Sequence, residues 1–182
     1  MHHYSYHKRL QEIWTNAIDL YSQGFRDPNF FFNEIKIRFL RSIGSNEKEL
    51  FDYANDFGRT GEPDFPTVAL IQDIRRSYFL EIQGSAQEHS ATGQPPLPSP
   101  KATCEAFPDL PRIALEVHCK LTGKRGSEIM YPSSTDREFL RKYDIHAAEF
   151  LRKVWESDGD SDQLASWIAK RNQASDFTQC RT

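Results

Sequence analysis

The sequence predicts an all-α, bundle-like protein of seven to eight helices, and three observations predict it. Apolar residues recur at helical spacing along most of the chain. The apolar runs are punctuated by capping residues, glycines and prolines. No stretch of useful length alternates apolar and polar residues with the period of two that a strand requires. No internal repeat stands out.

Leu10, Ile13, Trp14, Ala17, Ile18 and Tyr21 share one helical face, and Gly24 sits where a left-handed cap ends a helix. Asp27 followed by Pro28 reads as an N-cap and first helical position. Phe32, Ile35, Phe39, Leu40 and Ile43 then continue one face to Gly44. Ser45 is placed to cap a third helix carrying Leu50, Phe51 and Ala54 and ending near Gly58. After the turn "RTGEPDFP", Pro66 opens a fourth, with Val68, Ile71, Ile74, Tyr78 and Ile82 inward and Gly84 beyond its end.

Residues 85–109 lose the period and turn to Pro, Ser, Ala and polar side chains, the composition of a linker or loosely draped loop. The chain therefore divides into an N-terminal helical unit (1–84), this connector (85–109) and a C-terminal helical unit (110–182). In the last unit, Ile113, Ala114, Val117 and Leu121 make a face closed by Gly123. Thr135 and Glu138 suit a capping box for a helix with Phe139, Leu140 and Tyr143. Asp144 is placed to cap the next, with Ala147, Phe150, Leu151, Val154 and Trp155. "SDGDSD" breaks that helix, and Leu164, Trp167 and Ile168 suggest a final turn or two.

With 182 residues, 38% of them hydrophobic, the chain has enough apolar surface for a packed core. Its formal charge of −3 is spread evenly, with 10 basic and 12 acidic residues in 1–84 and 13 and 14 in 85–182. Phosphate-binding domains concentrate Lys and Arg on one face, so this balance argues against a nucleic-acid partner. Three cysteines, Cys104, Cys119 and Cys180, form no C-x-x-C pair, which fits a reducing compartment. No run approaches the ~18 apolar residues of a membrane span, and the N-terminus lacks a signal-peptide core. The expected location is the cytoplasm.

Signatures of common chemistries are missing: no phosphate loop, no dinucleotide fingerprint, no H-E-x-x-H and no nucleophile motif. No cofactor or metal is therefore expected, and His2, His3 and His7 read as a frayed end. His118 and Cys119 are adjacent on one helix and point about 100° apart, which favours a structural thiol over a Cys–His pair. Arg75, Arg76, Tyr78 and Phe79 read as core and surface more readily than as a basic-aromatic patch. Lys124 and Arg125 read as a solvated turn, and Asp64 as an N-cap beside Glu62.

At Leu110-Pro111-Arg112, Met130-Tyr131, Asp136-Arg137, Phe139-Leu140, Ile145-His146, Glu149-Phe150-Leu151, Val154-Trp155 and Trp167, the chain resembles a bacterial family of small domains of unknown function. The family pattern is an L-P-R helix ending in L-x-G, a Tyr followed by D-x-x-F, an I-D or I-H turn, F-L-x-x-V, and a final Asp with a Trp. The resemblance spans residues 110–170. A longer form of the family carries segments similar to "ELFDYANDFGRTGEPDF" and "RRSYFL", which extends it over 49–80. The chain departs at Glu116-Val117-His118, where relatives place basic residues, and at 132–135, where many have Cys or Gly. Cysteine-dependent or strongly anion-binding roles are accordingly not carried over. The resemblance implies a cytosolic bacterial helical domain and no known activity.

The expectation is a domain that binds a protein partner or a small ligand, without catalytic residues. The alternative is an enzyme for an anionic small substrate, its pocket lying between the units and lined by Arg112, Tyr131, Asp136, Arg137 and His146. In that reading His146 and Asp136 move the proton. It requires the polar tips of these residues to converge on one concavity.

Overall fold

The computed structural model describes residues 3–85, 106–123 and 130–179, with the side chains of 3 and 174–179 excepted. Most of the Pro-rich connector, Cys104, Cys180, His2 and the Lys124–Arg125 turn lie outside the described residues. Within them the protein is all-α: eight α-helices and no strand. They are α1 (Tyr6–Ser22), α2 (Glu34–Ser42), α3 (Glu47–Thr60), α4 (Phe65–Glu81), α5 (Leu110–Thr122), α6 (Ser134–Lys142), α7 (Ala147–Glu156) and α8 (Ser161–Gln179).

Helices α2, α3, α4, α6 and α7 each begin at a side chain that accepts an unpaired amide hydrogen, although it is often not the residue expected. Asp27 caps only a one-turn 3-10 helix, Pro28–Phe30. The chain then turns to bury Phe31 and Phe32, and Asn33 starts α2 by accepting from the Lys36 amide. Ile35 is thereby rotated outward and is 59% exposed. Asn46 rather than Ser45 caps α3, and His146 rather than Asp144 caps α7. The capping box of α6 is Ser133 with Asp136, two residues ahead of the expected Thr135 and Glu138. The last helix is far longer than one or two turns.

Gly58 does not end α3. A Cβ there would lie 2.4 Å from the Tyr21 ring, so the glycine lets α1 and α3 approach closely, and the helix continues to a left-handed cap at Gly61.

The expectation of no internal repeat does not hold. Helices α2 and α6 have equal length and stand 100 residues apart, Glu34 to Ser134. Each is followed by the same turn: the amides of Ile43 and Tyr143 return to the preceding helix, and Gly44 (φ 75) and Asp144 (φ 51) are left-handed. Ser45 and Ile145 then donate to the Leu40 and Leu140 carbonyls at 3.0 and 2.9 Å. Asn46 and His146 next cap α3 and α7. The inner face of α1 (Leu10, Ile13, Ala17, Tyr21) recurs in α5 as Leu110, Ile113, Val117 and Leu121. Packing recurs too, with α1 on α3 and α4, and α5 on α7 and α8. The repeat escapes inspection because it keeps burial and caps rather than identities; outside matches such as Leu10, Phe39, Leu40 and Glu49, paired positions differ.

Two apolar clusters form the interior, one in each repeat, and α4 serves both. Its Val68 joins the first cluster, whereas Ile71 and Ile74 join the second, and α4 packs on α5 and α7. In return Met130 packs on the first cluster. Arg75 of α4 is buried at this seam, against the C-terminal turns of α2 and α5. Its guanidinium fills the space a Cβ on Gly123 would need, at Gly44 it lies beside Phe79, which fills that space, and it donates to Gln83, which donates to the Thr122 carbonyl. Burial pushes the arginine down to about 10, and the partial negative charge of two helix C-termini offsets that penalty. Arg75 is therefore part of the interior and not of a basic surface.

Candidate functional site

The seam between the repeats holds an open cavity of about 290 Å³. One wall is the α3–α4 turn, Gly61 to Asp64, with Thr67. Gly61 turns the chain out of α3, and Asp64 accepts the Thr67 amide at 3.0 Å to start α4. The opposite wall is Pro132, then Arg137, Leu140 and Arg141 of α6, then Ile145, His146 and Ala147. Pro63, Pro132, Leu140, Ile145 and Ala147 give it an apolar lining. The N-termini of α4 and α7 both open onto it.

Arg137 is anchored. Its side chain is only 10% exposed, donates to the Pro132 carbonyl at 2.9 Å and to Asp56 at 3.0 Å, and places Nε 3.4 Å from Glu62. Arg141 is 58% exposed and pairs with the same Glu62 oxygen, while Glu62 is itself 45% exposed. Glu62 thus lies between an enclosed guanidinium and an exposed one. His146 is exposed, and its Nδ1 accepts the Ala148 amide at 3.1 Å. In the neutral ring the proton therefore resides on Nε2.

Behind the cavity the repeats are stitched by buried polar groups. The Lys120 ammonium of α5 pairs with Glu49 of α3, both almost wholly enclosed, and stands 5.2 Å from the Tyr53 ring centre. Burial pushes Lys120 down to about 7. Tyr53 donates to the Tyr131 carbonyl at 2.5 Å, and the Tyr131 hydroxyl donates to the Ala147 carbonyl at 2.7 Å. Burial raises both phenols above their usual range.

Asp136 is fully enclosed. One of its oxygens accepts the Ser133 amide at 2.9 Å, and the other faces Arg112 at 3.5 Å. Arg112 also donates to Glu116 at 2.8 Å; burial works against its charge, but Glu116 and Asp136 outweigh it and raise Arg112.

Of the five residues expected to converge, Arg137 and His146 line the cavity. Tyr131 and Asp136 are sealed behind it, and Arg112 is engaged with Glu116 and Asp136. Arg141, Glu62, Asp56, Glu49 and Lys120 were not named together from sequence. Each pair joins residues from different repeats, and only the packing of α3 and α4 against α5 to α7 makes them neighbours.

His118 lies 3.9 Å from Asp158, across the α7–α8 turn, and Cys119 is buried. Among the described residues no group of three or more His, Cys, Asp or Glu is placed to hold a metal ion, and no helix is long and apolar enough to cross a membrane. No family model, curated protein or solved structure matches the chain.

Proposed function

We propose that the chain is a cytosolic bacterial helical protein, of the kind it resembles, that binds without turnover a small ligand with one anionic group and an apolar body. The seam cavity is the binding site. The observation that carries this reading is the convergence of Arg137, Arg141 and the N-terminus of α7 on a partly apolar cleft; the N-terminus of α4 is already met by the Asp64 carboxylate. Guanidinium groups recognise carboxylate and phosphate oxygens through directed hydrogen bonds, and helix N-termini add partial positive charge. The apolar walls then supply contact area for the rest of the ligand.

The enzymatic alternative has less support. A general acid–base pair must reach the reacting atoms, and Asp136 is consumed by a helix cap and an arginine while Tyr131 holds a backbone carbonyl. His146 is the remaining candidate proton carrier of the original five, and it caps α7.

Native mass spectrometry of protein purified from its own host tests the proposal. A stoichiometric small adduct that is lost in Arg141→Ala supports it. A bare chain, combined with no thermal shift from a panel of aryl and alkyl carboxylates and phosphate monoesters, overturns it. Co-purification with another protein favours a partner-binding role instead, and turnover abolished by His146→Ala restores the enzymatic one.

A further inference from the structure

We infer that Glu62 is an internal occupant of the cleft's anion position, a latch that a ligand must displace; this rests on the binding role proposed above. The Glu62 carboxylate already makes the contacts expected of a ligand's anionic group, lying against Arg137 Nε at 3.4 Å and pairing with Arg141. The latch is built to open. Glu62 stands on a short turn between Gly61 and Pro63 with its side chain 45% exposed, and its pair with the 58% exposed Arg141 has enough solvent contact to add little to stability. Rotating the side chain outward therefore costs little.

The two arginines respond differently to that rotation. Arg137 keeps the Pro132 carbonyl and Asp56, so it remains in place as a preset donor. Among the described residues Arg141 pairs with Glu62 alone, and with more than half of its side chain exposed it can follow the incoming group. Charge decides what enters. With Glu62 in place, Asp56 and Glu62 balance Arg137 and Arg141; with Glu62 turned out, one positive charge is uncompensated. Asp64 does not fill that role, because its carboxylate is committed to the first turn of α4. A monoanion restores the balance. A cation has no reason to displace Glu62, and a neutral ligand gains nothing from the positive charge that Glu62 leaves. The cleft thus selects for anions by making them compete with an attached carboxylate.

The test is calorimetric titration of the full chain with benzoate and with phenyl phosphate, using wild type, Glu62→Gln and Glu62→Ala. Both substitutions fall at an exposed turn position that caps no helix, and circular dichroism checks the fold of each. The expected result is binding several-fold tighter in both variants than in wild type, or binding visible only in the variants. Wild-type binding with equal or weaker affinity in the variants overturns the latch and leaves the cleft as a binding site. Absence of binding in all three proteins overturns the latch together with the binding role on which it rests.

Discussion

The Tyr53 hydroxyl donates a 2.5 Å hydrogen bond to the backbone carbonyl of Tyr131, 78 residues away, at the heart of the seam. The side chain of Tyr131 makes a separate bond, to the Ala147 carbonyl. Because Tyr53 reads the backbone of residue 131, Tyr131→Phe leaves that first bond intact. Tyr53→Phe strands the Tyr131 carbonyl, at a cost of about 1–3 kcal/mol, whereas Tyr131→Phe removes a second bond from the Ala147 carbonyl, which keeps its place in the α7 ladder, and should cost about 0.5–1.5 kcal/mol. In urea unfolding the two costs should add in the double variant; strong coupling would show that the bonds form one unit.

The Glu49–Lys120 pair should behave as a registration device more than as a source of stability. At pH 6, Lys120→Met leaves the Glu49 carboxylate enclosed without its cation and should cost about 3–5 kcal/mol. Replacing both residues, Glu49→Leu with Lys120→Met, should recover most of that loss, since two apolar side chains need no desolvation. A double variant as unstable as the single one would place the interaction elsewhere.

The same lysine sets a pH dependence. Burial holds its folded pKa at about 7, below the ordinary 10.5, so between these values the unfolded chain binds the extra proton. Stability then rises with pH through that window and is lost as pH falls toward 7. The buried phenols act in the opposite sense only above their ordinary value of 10, where an unfolded chain would ionise. Chemical denaturation from pH 7 to 9.5 should show wild type gaining stability relative to Lys120→Met. A flat difference between the two would refute the assignment.

Helix propensity alone would make Gly58→Ala stabilising, by about 1 kcal/mol at a helix interior. Contact with Tyr21 predicts the reverse, because the added methyl has no room between α1 and α3. A loss of about 1–3 kcal/mol is expected. Thermal or urea unfolding reads the sign directly.

Inner faces were legible in the sequence because burial leaves a period, as in Leu10 to Tyr21 or Ile113 to Leu121. Proline before a helical run and glycine after it marked several ends correctly. Caps were less legible. Several polar residues stand near each helix start, and the choice between Ser45 and Asn46, or Asp144 and His146, depends on which one the turn leaves in extended conformation. Gly58 and Gly61 are alike on paper, yet one accommodates a neighbouring ring and the other reverses the chain. The cleft was half legible: Arg137 and His146 are expected together on one pocket, and the Glu62 turn stands apart from them. What joined them was the packing of one repeat on the other, which leaves no local trace in residue order.

Because α4 closes one core and walls the other, the halves of the sequence and the halves of the interior do not coincide in this protein. A polypeptide of residues 1–84 would carry Ile71, Ile74 and Tyr78 without the helices they cover. One of residues 106–182 would present the bare face of Trp155, against which Tyr78 stacks at 5.5 Å. Supplied separately, the two pieces are each other's missing wall, and they should reconstitute the cleft on mixing, as a split protein does.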